Sequence, residues 1–284
     1  MISRNKGILS LNVLVPAIGL IFSAVLVESI FSNVVRPRAA DVEITSRLRA
    51  AQNSDKAYVQ ERSIYVIIKD PEQETELIFW LWSLIILSYK LYLVVQERKL
   101  LKGELVQVDV GERIIPEDAL DRYKDLRATV ERTPSWRERM LPEFILAALH
   151  RFHATHSVQD AAAAVKERAE LLADELDSDL SLIRYIAWAI PAVGFIGTVR
   201  GIGDALAHAE EAIKGDLSGV TAALGLAFNS TLVALLLSVV LMFILHMLQQ
   251  RQEGLILELQ TYCRDKLINV MKTPAQEESD AVLP

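Results

Sequence analysis

Cysteine is almost missing from this chain: Cys263 stands alone, which excludes an internal disulfide and a cysteine-based metal cluster and leaves the compartment open. Concentrated positive charge is missing too. The formal net charge is −7, and a nucleic-acid partner is not expected because phosphate binding needs a dense basic surface. There is no Walker-type phosphate loop, no Gly-x-Ser-x-Gly elbow and no His-Glu-x-x-His pattern, so the usual signatures of nucleotide, acyl-transfer and zinc chemistry are absent. His150, His153 and His156 recur every three residues on an expected helix, but that spacing spreads them over a wide arc with no carboxylate or cysteine at ligand spacing. No catalytic residue, metal site or cofactor is expected, and an integral-membrane enzyme has little to support it.

What the chain has is apolar length. Hydrophobic residues make up 51% and charged residues 24%, too apolar for an ordinary soluble domain and too charged for one wholly in lipid. The expected fold class is an all-α integral membrane protein with four transmembrane helices, the last two extended into a cytoplasmic helical domain. The expected divisions are a first span (1–33), an outer polar segment (34–76), a second span (77–96), a cytoplasmic helical domain (97–183), a third span (184–207), an outer loop (208–219), a fourth span (220–248), a cytoplasmic helix (249–271) and a disordered tail (272–284). Each apolar run is long enough to cross a hydrocarbon core of roughly 30 Å. Residues 8–31 follow basic Arg4 and Lys6 like a secretory signal, but the run is long and lacks a cleavage site, so a retained span is expected.

Charge sets the orientation. Arg98, Lys99 and Lys102 follow the second span and Asp70, Glu72, Glu74 and Glu76 precede it, so that span runs outward to inward and both termini lie in the cytoplasm. The basic residues from Arg36 to Arg49 oppose this for the first span alone. Within the outer segment, residues 39–49 suit a short amphipathic helix and 63–68 a strand or interfacial piece, before Asp70-Pro71 breaks the chain. Residues 103–111 alternate as a small hairpin would. Helices are expected over 117–131, 135–139 and 143–156, and residues 158–184 have strong helix formers and no breaker, predicting one long helix running into the third span. Pro191 is expected to kink it. Leu248, Leu255, Leu259 and Tyr262 fall near heptad spacing, predicting that the last helix packs beside the long one.

The third and fourth spans carry the most information. Gly194, Gly197, Thr198 and Gly201 line one helical face, and Ala223, Ala227, Thr231, Ala234 and Ser238 line another; such stripes let helix backbones approach closely in lipid. Hydroxyls at this spacing point to helix contacts or a thin polar path, or else bond back to their own helix carbonyls. Arg200, inside a span, needs water or a partner, and Asp204 one turn on is at pairing distance for a vestibule pair. No carboxylate of this chain is expected deep between these two spans, so an acid that titrates there would come from another chain.

Pro191-Ala-Val-Gly-Phe-Ile-Gly-Thr-Val-Arg-Gly-Ile202 together with Ala227-Phe-Asn-Ser-Thr231 resembles the paired pore helices of the MotA/TolQ/ExbB proton-channel family. The resemblance covers about residues 177–266 closely and the rest only in layout. It implies a bacterial inner-membrane homopentamer in membrane lipid around a dimer of a single-span MotB/ExbD/TolR-like partner whose helix carries an aspartate. Thr198 and Thr231 would face that aspartate, with Pro191 near the inner end of the path, and proton flow would do mechanical work as a stator does. Two positions depart from the pattern: Leu226 stands where some members carry a glutamate, and Arg200 stands where apolar residues are usual. Asn229, Ser230 and Thr231 offer oxygens that also suit sodium, so the ion, H+ or Na+, stays open, as does the process powered. The competing class is a non-conducting oligomeric membrane scaffold built on the same small-residue faces.

Overall fold

The computed structural model describes residues 7–52, 63–103, 113–133, 136 and 139–272. The described chain is helical, without a strand, and four of its helices are long and apolar enough to cross a membrane. The expected hairpin, most of the 135–139 helix and the tail from 273 lie outside the described residues, as do Arg4 and Lys6.

α1 (Gly7–Ile30) does not stop near residue 33 but passes through one π-helical turn, Phe31–Val35, straight into α2 (Arg36–Gln52). The wide turn comes just before Pro37, whose ring would otherwise press on the carbonyl four residues back. Residues 64–67, expected as a strand or interfacial piece, form the single-turn α3 (Ile64–Ile67). α4 (Pro71–Leu101) begins six residues before the expected second span. Pro71 takes the first helical position, where its missing N–H costs nothing, and Glu72 and Glu74 suit the positive helix start as Arg98 and Lys99 suit the end. What was expected as the end of an outer polar segment is therefore the first turn and a half of a membrane-length helix.

The chain divides into two compact units, residues 1–88 with 181–246 and residues 89–180 with 247–284. The first holds α1 to α3, the start of α4, α8 (Ser181–Ala207), α9 (Ala209–Ile213) and the start of α10 (Ser218–Lys266). Val27, Phe31 and Val35 pack there against Ile68, Leu77, Ile78 and Leu81. Gly19 lies against Trp82 and Ile85, and the Trp82 indole donates to the Pro16 carbonyl at 2.8 Å. Bulky side chains on α8 and α10, among them Trp188, Phe195, Phe228, Leu236, Val239 and Phe243, point outward and stay exposed, as a lipid-facing surface requires.

The second unit holds α5 (Pro116–Arg132), α6 (Met140–Thr155), α7 (Val158–Asp179), the later part of α4 and the end of α10. α6 buries Leu141, Phe144, Ile145, Leu149 and Phe152, each side chain contributing roughly 1.5–3 kcal/mol of burial. Its start is held by Glu97, which accepts from the Leu141 N–H at 2.8 Å and pairs with Arg139 at 3.7 Å. Its end turns at His156, in the left-handed region at φ 53°, and Ser157 then caps α7 by accepting from the Asp160 N–H at 3.2 Å. Leu255, Leu259 and Cys263 of α10 are fully buried, and beside this helix Arg98 of α4 pairs with Glu258 at 3.1 Å. A parallel bridge joins Ile114 to Met271. The long helix expected from residue 158 is interrupted once, at Leu180, between the end of α7 and the start of α8.

Candidate functional site

The site is built where α8 crosses α10, and the closeness of that crossing comes from glycine. A Cβ on Gly194 would stand 2.5 Å from the Ala234 Cβ, one on Gly197 would stand 2.5 Å from the Ser230 Oγ, and one on Gly201 would stand 2.8 Å from the Ala227 Cβ. Ala227, Ser230 and Ala234 are fully buried, while Ala223, one turn earlier, brings its carbonyl against Gly201. The two small-residue faces expected from the sequence meet each other.

Tight approach brings polar groups into register. The Thr198 and Thr231 hydroxyls are hydrogen-bonded to each other. Each also reaches across to the other helix: the Thr198 Oγ1 lies 3.0 Å from the Ala227 carbonyl and the Thr231 Oγ1 lies 3.3 Å from the Gly194 carbonyl. Both hydroxyls also lie within reach of their own helix, Thr198 at the Gly194 carbonyl at 3.2 Å and Thr231 at the Ala227 carbonyl at 3.4 Å, so the two share the same pair of carbonyls.

Ser230 bonds only within its own helix, to the Ala227 and Leu226 carbonyls at 3.1 and 3.2 Å. Asn229 is half-buried and takes no part in the hydrogen bonds that join α8 to α10.

Pro191 sits inside α8, which runs through it. Having no N–H, it leaves the Ala187 carbonyl without its helical donor, and the Ser238 hydroxyl of α10 donates to that carbonyl at 2.9 Å. A side chain of the neighbouring helix thus satisfies the group that proline frees, as apolar surroundings demand.

Arg200 is not paired with Asp204. Its guanidinium donates to Glu72 of α4 at 2.8 Å, and Asp204 is exposed, with its carbonyl beside the His208 ring at 2.8 Å. The physical reason is the early start of α4: a carboxylate fixed on a second helix next to Gly197 meets Arg200 directly. At the crest between α9 and α10, the Ser218 hydroxyl and N–H both donate to Asp216 and hold its carboxyl below the usual range. Asp70, just before α4, is pushed up by burial against the opposing pull of Lys69 and Arg200.

No carboxylate was expected deep between the third and fourth spans; two of α4 come to the side of α8 instead. Glu72 and Glu76 of α4 both lie on the glycine face of α8, with the Glu76 Oε1 3.3 Å from the Cβ position of Gly194. Glu74 turns the other way, to Arg36 at 2.6 Å, which also reaches Glu28 at 3.2 Å. The signal was present as Glu72-x-Glu74-x-Glu76 directly after Pro71, a helix start rather than a loop.

The three histidines go separate ways. The His153 Nδ1 is 3.0 Å from the Pro116 carbonyl, His150 lies beside the Tyr123 ring, and His156 terminates α6. No metal-holding group of three His, Cys, Asp or Glu occurs among the described residues.

Residues 137–261 match the MotA/TolQ/ExbB proton channel family. That range takes in α8 and the crossing part of α10 and leaves α4 outside. No curated protein and no solved structure matches the chain.

Proposed function

We propose that this chain, which over residues 137–261 belongs to the MotA/TolQ/ExbB proton channel family, is the channel-forming subunit of an ion-driven energy-transducing complex of the bacterial inner membrane. Five copies surround a dimer of a single-span MotB/ExbD/TolR-like protein, both termini lie in the cytoplasm, and the ion is the proton. The partner's aspartate takes the proton at the level of Thr198 and Thr231, and its release turns one ring against the other.

The observation that carries this reading is the Thr198 and Thr231 pair. Two hydroxyls bond to each other, each within reach of a carbonyl of the opposite helix, at a crossing so close that a Cβ on Gly194, Gly197 or Gly201 would clash. A scaffold has use for the small residues but less for two hydroxyls bonded to each other at the centre of their crossing. The outward band of bulky apolar residues on the same two helices supplies the face that lipid or neighbouring copies cover.

The test is proton flux in liposomes holding the complex co-purified with its single-span partner, with native mass spectrometry of the same sample. Thr198→Val and Thr231→Val keep side-chain volume; each is expected to abolish flux while the five-to-two assembly persists. Unchanged flux in both, or a closed ring without a partner, overturns the motor and leaves the scaffold.

A further inference from the structure

Several carboxylates among the described residues have partners: Glu74 has Arg36, Glu72 has Arg200, Glu97 has the Leu141 N–H, and Asp179 has Lys90. Glu76 differs. Its side chain is fully buried and neither oxygen has a hydrogen-bond partner among the described residues. An isolated carboxylate in apolar surroundings is costly unless a counter-charge neutralises it.

The groups facing it do not supply one. α4 offers Glu72, another carboxylate, and Gln73, whose amide atoms are themselves buried without partners. α8 offers Gly194, Gly197 and an Arg200 guanidinium engaged by Glu72, and α10 offers Ser230 and Ala234, without charge.

We propose that Glu76 is a second proton-binding site of the channel, carried by this chain itself where α4 meets the glycine face of α8. Three observations converge on it: a fully buried acid without a partner, its approach to Gly194, whose carbonyl also lies near the Thr231 hydroxyl, and further unpartnered polar atoms on the same face of α4 at Gln73, Trp80 and Ser83. Spacings of three, four and three residues align these four side chains along the helix. The aligned polar atoms make a wettable line along α4, and Glu76 is the one ionisable carboxyl among these four side chains. The inference rests on reading α8 and α10 as an ion path, and α4 lies outside the residues matched to the family.

The test begins with dicyclohexylcarbodiimide, which dissolves in lipid and adds to protonated carboxyl groups. The full chain in native membranes is treated across a pH series and mapped by peptide mass spectrometry. Labelling of Glu76 that falls as pH rises, and that is lost in Glu76→Gln but kept in Glu74→Gln, is expected. No adduct at Glu76, a pH-independent one, or protection by sodium overturns a proton site.

Flux in the complex then separates this inference from the one beneath it. Loss of flux in Glu76→Gln with partial recovery in Glu76→Asp, both assembling normally, supports the site. Normal flux in Glu76→Gln beside lost flux in Thr198→Val refutes Glu76 alone, whereas normal flux in both refutes the motor reading.

Discussion

In α8 the buried residues include Gly194, Gly197 and Gly201 while Trp188, Phe195 and Ile196 face out; in α6 the aromatics Phe144 and Phe152 are fully buried. The α8–α10 crossing and α6 are thus packed by different rules within one chain. In the second, water drives bulky side chains inward and stability follows the apolar area removed from solvent. In the first, lipid rewards no such transfer, so what counts is how closely two backbones approach and whether each polar group finds a partner. The contrast lies at the α8–α10 crossing, which places glycine and hydroxyl groups in the interior although the first unit also buries Phe31, Ile186 and Ile190, while α6 relies on leucine and phenylalanine.

The comparison breaks most visibly at Phe152. Phe152→Ala should cost about 3–5 kcal/mol of stability, read as a fall in thermal midpoint, whereas Trp188→Ala, a larger truncation at a side chain 69% exposed, should shift it little. Equal losses would mean that both units follow the aqueous rule.

A smaller effect of opposite chemistry is expected at Gly197. Adding carbon there, as in Gly197→Val, forces α8 away from Ser230 and should cost on the order of 1–3 kcal/mol, seen as reduced assembly in detergent; an unchanged complex would show that the close crossing is not what holds the first unit. Smallest of all is Ser238→Ala, which removes one interhelical hydrogen bond worth about 0.6 kcal/mol. It strands the Ala187 carbonyl opposite Pro191, so the expected sign is faster hydrogen exchange of the α8 amides near Pro191 with assembly intact.

Much of this was readable one helix at a time. The small faces of α8 and α10 follow from a helical period that any local stretch reveals, and they meet as their spacing implied. The heptad positions Leu248, Leu255 and Leu259 are likewise buried. Reading by apolar runs failed at α4, because polar residues at a helix start look like loop when only hydropathy is followed; Pro71 and the acidic first turn were the better guide. It failed again at Arg200, where i to i+4 spacing favoured Asp204 over a carboxylate far away in sequence.

The sequence by itself determined the four membrane-length helices and their small and bulky faces, since these depend on periodicity and on lipid's demand that backbone groups be satisfied within the helix. Only the tertiary structure decided that Glu72 takes Arg200, that Ser238 completes the carbonyl freed by Pro191, and that Glu76 is buried without a partner against Gly194. Each of these joins residues from 51 to 128 positions apart in the chain. The physical reason is that such contacts are set by where helices cross, and a helical period carries no information about its crossing partner.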